Sequence, residues 1–165
     1  MAQITLKGNP INTKGNLPAI GETIPDFVLV GGNLQEKSLG DYEGKRKIFN
    51  IVPSLDTGTC AASARYFNQS AGQLENTVVL VISADLPFAQ KRFCTTEGIE
   101  NVITLSSFRS TFADDYNLKL VDGPLKGLNS RCVVVVDENN RVIYTEQVPE
   151  LGQEPDYESA LKALN

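Results

Sequence analysis

Two apolar runs of strand length, separated by one helical stretch, constrain the fold of this chain more than any other feature. Residues 46–52 and 77–83 are rich in apolar side chains, which is typical of strands buried on both faces of a sheet. Between them, residues 59–74 place Ala64 and Phe67 on one side at helical spacing. Two strands joined by a crossover helix pair in parallel with a right-handed connection. The chain is therefore predicted to have an α/β fold.

Further apolar segments add strands and helices around this unit. Short strands are predicted at residues 27–30, 33–38, 102–105, 132–136 and 142–145, with helices at 108–116 and 154–164. Near the N-terminus, a β-hairpin is predicted at residues 4–6 and 11–13, around a Gly-Asn-Pro turn. This order predicts a thioredoxin-like fold with a central mixed sheet flanked by helices and an N-terminal β-hairpin. We expect one domain over residues 1–165.

A second helix is predicted to follow the run at 77–83. Asp85 can cap it, Pro87 suits its first turn, and Gly98 is typical of a helix end. The expected apolar stripe of this helix consists of Leu86, Ala89 and Phe93. Cys94 falls near its end, one turn after Lys91, and this suggests a partly exposed, cationic setting for the thiol.

The composition narrows the possible functions. The chain has 15 lysine and arginine residues against 20 aspartate and glutamate residues, a net charge of −5, which argues against nucleic acid and anionic membranes as partners. It has no histidine, and this excludes Ser-His-Asp and Cys-His catalysis as well as imidazole metal sites. The first residues lack the apolar core of a signal peptide, so we expect a cytoplasmic protein.

One of the three cysteines lies where a helix begins. Cys60 follows the strand at 46–52 and a short turn, so its thiol meets unpaired backbone N–H groups and the positive end of the helix dipole. Both favour the thiolate, which is the nucleophilic form of cysteine. Cys94 and Cys132 lie far from Cys60 in sequence, and no C-x-x-C pair indicates zinc. A reducing cytosol disfavours a permanent structural disulfide, so we expect any bridge to be transient.

The residues around Cys60 are suited to attack on a peroxide. Such attack expels an oxygen with growing negative charge, which donors must stabilise. Thr57 lies three residues before Cys60, so its hydroxyl can return to the sulfur, and Pro53 pre-sets the turn and covers one side of the sulfur. Arg131, immediately before the valine run, can supply a fixed charge with forked donors. Each residue also has a structural alternative: Thr57 as a helix cap, Pro53 as a strand end, and Arg131 as a surface charge.

The pattern P-x-x-x-T-x-x-C resembles the active-site motif of peroxiredoxins. The sequence S-L-D-T-G-T-C-A-A-S at 54–63 resembles the bacterial thiol peroxidase branch, and segments 83–94, 101–109, 122–128 and 154–157 are similar to it as well. The resemblance implies a homodimer that reduces hydrogen peroxide and organic hydroperoxides, with thioredoxin as reductant and no haem, metal, flavin or selenium. It also implies an intramolecular disulfide between two catalytic cysteines.

Carried over by position, the resemblance makes Cys60 the peroxidatic residue and Cys94 the resolving residue, with Thr57 and Arg131 completing the site. Two positions depart from the family pattern. Thr59 stands where valine is more common, and Cys132 stands where a small residue other than cysteine is usual.

Three other interpretations of Cys60 stay open at this point. It can be a buried structural cysteine, or it can exchange disulfides as thioredoxins do, although Ser63 stands where C-x-x-C would need a second thiol. It can also belong to a redox-signalling module that passes oxidation to a partner protein. Because side chains alternate along a strand, an Arg131 that points at the site directs Cys132 away from it, into the core with Val134 and Val136.

Overall fold

The fold combines a seven-stranded mixed sheet, four α-helices and a separate two-stranded hairpin. A computed structural model describes residues 2–165. The strands are β1 (Gln3–Leu6), β2 (Asn9–Asn12), β3 (Leu29–Gly31), β4 (Glu36–Lys37), β5 (Arg46–Ile51), β6 (Thr77–Ser83), β7 (Ile103–Ser106), β8 (Cys132–Val136) and β9 (Val142–Gln147). The helices are α1 (Gly58–Ala71), α2 (Pro87–Glu97), α3 (Phe112–Asp115) and α4 (Tyr157–Lys162), and a 3-10 turn spans Leu39–Tyr42.

The large sheet has the strand order β4-β3-β7-β6-β5-β8-β9. Strands β5, β6 and β7 run parallel, whereas β3, β8 and β9 pair antiparallel with their neighbours. The two apolar runs pair in register from Arg46 opposite Thr77 to Ile51 opposite Ile82, with α1 as the crossover between them. The predicted fold class is confirmed, including the hairpin of β1 and β2.

Each face of the sheet has its own apolar core. On one face, Ile48 and alternate residues of the neighbouring strands pack with residues of α1, α2 and α4. On the other face, Phe49 and Ile51 pack with α3 and the 3-10 turn. The alternation along β5 therefore buries both sides of the strand, as its continuous apolar character predicts.

Several predicted segments are shorter in the structure. The hairpin turn is Lys7-Gly8, both with positive φ, so the turn precedes the predicted Gly-Asn-Pro and Pro10 pairs with Thr5 within the ladder. Of the predicted strand at 33–38, only Glu36–Lys37 pairs. The predicted helix at 108–116 is confined to Phe112–Asp115.

The start of α2 differs from the prediction in two ways. Its N-cap is Leu86 with no side-chain cap, and the Asp85 carboxylate binds elsewhere. Leu86 and Ala89 are exposed, and Gln90 is buried in their place. The Gln90 Nε2 donates to Ser83 Oγ and to the Leu105 carbonyl, both at 3.0 Å. These bonds satisfy the buried amide nitrogen, whereas Oε1 has no hydrogen-bond partner among the described residues. The predicted end at Gly98 is confirmed, since this residue is the left-handed C-cap.

Candidate active site

Cys60 lies in the first turn of α1 and is fully buried. Strand β5 ends at Ile51, and a short loop leads to Thr57, the helix N-cap. The Cys60 backbone N–H donates to Thr57 Oγ1 at 3.3 Å, and the Thr57 hydroxyl donates to the Ser54 carbonyl at 3.2 Å. The cysteine is therefore the third residue of a capped helix, where the dipole favours a negative charge.

Arg131 lies directly against the sulfur. Its Nη1 is 3.0 Å from Cys60 Sγ, its Nε donates to the Leu151 carbonyl at 2.7 Å, and only 3% of the residue is exposed. Within residues 2–165, no carboxylate lies within ion-pair distance of this guanidinium. A buried cation without an anionic partner carries a large desolvation cost. The Cys60 sulfur accepts from Nη1 of this cation, so the guanidinium faces the atom that is expected to react.

The pairing of β5 with β8 brings these two residues together. Ile51 at the end of β5 lies opposite Cys132 at the start of β8, so the residues flanking this pair meet beside the first turn of α1. Cys132 points to the opposite face and packs with Val134 and Val136, as the alternation predicts. Complete burial raises the pKa of Cys132 to about 12. The thiol is therefore uncharged at neutral pH and packs as a core residue.

Thr57 and Pro53 lie in the loop before Cys60. The Thr57 hydroxyl is bonded to the Ser54 carbonyl and caps the helix; the structure therefore shows the capping role and no bond from this hydroxyl to the sulfur. Pro53 is buried just after β5. That its ring pre-sets the turn and covers one side of the sulfur stays a prediction.

Asp85 fastens the same loop to the start of α2. Its carboxylate accepts hydrogen bonds from Ser54 Oγ, from the Leu55 backbone N–H and from Ser83 Oγ, all at 2.7 Å. Sequence reasoning placed Asp85 at a helix cap and missed this role. No local pattern marks it, because Ser54 and Leu55 are some 30 residues away in sequence.

Cys94 lies on α2, half-buried, and packs against the same apolar cluster as Cys60. Burial raises the pKa of the Cys94 thiol, and a hydrogen bond with Thr104 offsets part of that rise. The predicted partial exposure of Cys94 is confirmed. Lys91 is not among the groups that shift its pKa, and burial, which favours the neutral thiol, is the main cause of the shift. All three cysteines are free thiols in the structure.

A cavity of about 540 Å³ separates the loop before Cys60 from the helix that carries Cys94. Its walls include Leu55, Asp85 and Phe93, together with the exposed Arg92. Cys60 does not line this cavity. Cys94 does not line it either, although its neighbour Phe93 does. Each cysteine lies in a helix, Cys60 in α1 and Cys94 in α2.

No group of three or more His, Cys, Asp or Glu residues is arranged to hold a metal ion among residues 2–165. No helix in this part of the chain is both long and apolar enough to cross a membrane.

Known proteins are similar to this chain over most or all of its length. The Redoxin family profile matches residues 19–161. A thiol peroxidase from Corynebacterium glutamicum is 53% identical over 165 residues, covering all of both chains. The crystal structure of a peroxiredoxin-like protein from Aquifex aeolicus is 37% identical, with a TM-score of 0.93 and coverage of 98% of this chain and 95% of that one.

A more distant solved structure shows the same fold. A thiol peroxidase from Chromobacterium violaceum is 22% identical and superimposes with a TM-score of 0.90, covering 98% of this chain and 95% of that one. The resemblance stated from the sequence is confirmed over the full length. The chain belongs to the Redoxin family, within the group formed by thiol peroxidases and peroxiredoxins.

Proposed function

We propose that this chain is a thiol-dependent peroxidase in which the Cys60 thiolate reduces hydroperoxides. The observation that carries the proposal is the buried Arg131 guanidinium, 3.0 Å from Cys60 Sγ and without a carboxylate partner in residues 2–165. Such a cation stabilises a thiolate before the reaction. It also provides donors for an oxygen that becomes negative during it.

In the first step the thiolate attacks one oxygen of the peroxide. The S–O bond forms as the O–O bond breaks, the leaving oxygen departs as an alcohol or water after taking up a proton, and Cys60 becomes a sulfenic acid. Sulfur is oxidised by two electrons and the peroxide is reduced by two. Arg131 is oriented for this step, since its Nε is held by the Leu151 carbonyl while Nη1 faces the sulfur.

In the second step Cys94 attacks the sulfenic sulfur, which forms a Cys60–Cys94 disulfide and releases water. The support is the placement of Cys94 on the element across the cavity from the Cys60 loop, and its packing in the same cluster. A disulfide needs Cα atoms within about 7 Å, which two packed helices rarely allow. The first turn of α1 and the end of α2 therefore open to form the bridge.

Thioredoxin then reduces the bridge, and the cycle returns to two thiols. This cycle moves electrons only between sulfur and oxygen, so it calls for no metal, haem, flavin or selenium. Thioredoxin is available in the cytoplasm, which we propose as the location. The preferred substrates are organic hydroperoxides in addition to hydrogen peroxide, as the resemblance implies.

We also propose that the protein acts as a homodimer. Three large apolar side chains, Leu86, Phe88 and Phe108, are 50%, 67% and 45% exposed. The hydrogen bond from Ser106 Oγ to the Asp85 carbonyl at 2.5 Å places the start of α2 next to the end of β7, so the three residues lie on neighbouring segments. Exposed apolar patches of this kind mark protein–protein contacts. Sedimentation of the wild-type chain and of Phe88→Glu tests this assignment.

The assay that tests the peroxidase is NADPH consumption with thioredoxin, thioredoxin reductase and cumene hydroperoxide. We expect sustained turnover by the wild type, none by Cys60→Ser, and normal turnover by Cys132→Ser. Turnover limited to one equivalent of peroxide per chain would instead indicate a redox-signalling module.

The disulfide is tested separately by peptide mapping after one equivalent of peroxide. We expect a Cys60–Cys94 bridge with Cys132 free, and Cys94→Ser should stop at a sulfenic acid that over-oxidises readily. Full thioredoxin-dependent turnover by Cys94→Ser, or a Cys60–Cys132 bridge, would overturn the pairing.

A further inference from the structure

The first turn of α1 is held from outside the helix at two points. Among the described contacts of residues 58–61, the side chains that bond beyond α1 and its cap are Cys60, which accepts from Arg131, and Thr59, whose Oγ1 donates to the Gly152 carbonyl at 2.9 Å. The first bond involves the sulfur that reacts. The second involves an atom that the reaction leaves unchanged.

The partner of Thr59 is itself firmly placed. Residues 149–152, here named the 149–152 segment, run beside β1: the Thr5 N–H donates to the Pro149 carbonyl and the Leu151 N–H donates to the Thr5 carbonyl, both at 2.8 Å. Leu151 is buried in the small core beneath the hairpin. Gly152 is exposed but directly follows the anchored Leu151, so the bond from Thr59 resists movement of the helical turn away from this segment.

We infer that Thr59 is a positioning residue that restrains opening of the first turn of α1 and thereby slows formation of the Cys60–Cys94 disulfide. The inference rests on the proposed function, in which Cys60 must leave its helical turn to meet Cys94. Oxidation of Cys60 alters the contact with Arg131, whereas the bond from Thr59 to Gly152 remains to be broken when the turn opens. A longer-lived sulfenic acid follows, and with it a greater exposure to over-oxidation by excess peroxide.

The contacts of Arg131 indicate that loss of the Thr59 hydroxyl affects disulfide formation and not peroxide attack. Arg131 keeps its Nε bond to the Leu151 carbonyl and its Nη1 contact with the sulfur without any help from the Thr59 hydroxyl. Loss of the hydroxyl is therefore expected to change the second step and to leave the first step within about two-fold, well below the factor expected for a transition-state donor.

The decisive variants are Thr59→Val, which keeps the branched shape and helix propensity but lacks the hydroxyl, and Thr59→Ser, which retains it. Because the chain has no tryptophan, the reaction is followed by rapid quench, alkylation and mass spectrometry after one equivalent of peroxide. We expect the Cys60–Cys94 bridge to form roughly two- to ten-fold faster in Thr59→Val, the factor that one net hydrogen bond contributes. Its sulfinic fraction in excess peroxide should fall, and Thr59→Ser should match the wild type.

A second measurement is independent of the resolving cysteine. Amide hydrogen exchange in the reduced protein reports opening of the first turn through the Cys60 and Ala61 N–H groups, which are bonded to Thr57 Oγ1 and to the Thr57 carbonyl. Faster exchange in Thr59→Val than in Thr59→Ser is expected.

Failure of the proposed function and failure of the role of Thr59 give different experimental outcomes. A wild type that reduces peroxide but forms no Cys60–Cys94 bridge contradicts the proposed function, and hydrogen exchange still decides whether Thr59 restrains the turn. Equal exchange in Thr59→Val and wild type, or an equal rate of bridge formation in both, overturns the role of Thr59. Equal acceleration in Thr59→Ser would also overturn it, because that variant keeps the hydroxyl.

Discussion

At the scale of single residues, the chemistry depends on a buried cation whose described neighbours include no carboxylate. Arg131→Lys keeps the charge but loses the fork that binds the Leu151 carbonyl and the Cys60 sulfur together. We expect the second-order rate of peroxide reduction to fall about ten-fold or more, as for a lost transition-state donor. This rate is measured as the loss of alkylatable thiol after rapid mixing with peroxide. Arg65→Lys, an exposed arginine paired with Glu97, is the control and should react normally; an Arg131→Ala variant with the wild-type rate would refute the assignment.

Thr57 caps α1, and variants can separate this role from the predicted donation of its hydroxyl during peroxide attack. Thr57→Val removes the oxygen that accepts from the Cys60 N–H, and loss of an N-cap costs about 1 kcal/mol. We expect a lower free energy of unfolding and slower peroxide reduction, while Thr57→Ser should be close to the wild type in both. Thermal unfolding and the peroxide rate are measured side by side. A Thr57→Val variant that is less stable but reacts normally would limit Thr57 to capping.

At the scale of elements, the active-site loop is fixed by contacts that are distant in sequence. Asp85 joins it to β6 and α2 through three hydrogen bonds. In Asp85→Asn the amide nitrogen cannot accept, so at least one donor loses its partner, at a cost of about 1–3 kcal/mol. We expect a lower free energy of unfolding and a several-fold slower reduction of peroxide by Cys60. Chemical denaturation and thiol loss test this, and Asp56→Asn, an exposed carboxylate of the same loop, should change neither.

The elements that could be predicted from the sequence are those whose pattern is decided locally. Strands β6 and β8 have the predicted bounds, Thr77–Ser83 and Cys132–Val136, because both are continuous apolar runs. The place of Cys60 at a helix start also follows from local order. The predicted apolar stripe on α2 is confirmed at Phe93, which packs against the core, and is wrong at Leu86 and Ala89. Gln90 is buried in their place because it donates to acceptors in β6 and β7. Tertiary hydrogen bonds of this kind do not produce a periodic pattern in the sequence.

In the candidate active site, too, only residues marked by a local sequence pattern could be predicted. The P-x-x-x-T-x-x-C pattern and the residue before the valine run could identify Cys60 and Arg131, and strand alternation could separate Arg131 from Cys132. The links from Thr59 to Gly152 and from Asp85 to Ser54 could not be found in this way, because each joins segments that meet only in the folded chain.

At the scale of the whole molecule, the raised pKa values of the buried thiols make the free energy of unfolding depend on pH. Burial raises the pKa of Cys132 to about 12 and also raises that of Cys94, whereas unfolded cysteines ionise near 8.5–9. Above about pH 9 the unfolded chain therefore binds fewer protons than the folded one, and stability falls as pH rises. The tyrosines act in the same direction at higher pH, since burial raises the pKa of Tyr42 to about 12.

Cys132→Ala isolates the contribution of one thiol. Below pH 8 the variant should be less stable by about 1 kcal/mol, because a small buried side chain is truncated. Near pH 11 the wild type should have lost about 3 kcal/mol through Cys132 alone, a loss that the variant does not share, so the order of stability should reverse. Urea denaturation followed by circular dichroism in the presence of reductant measures both profiles. Parallel profiles from pH 7 to pH 11 would show that Cys132 keeps an ordinary pKa in the folded protein and is not sealed in the core.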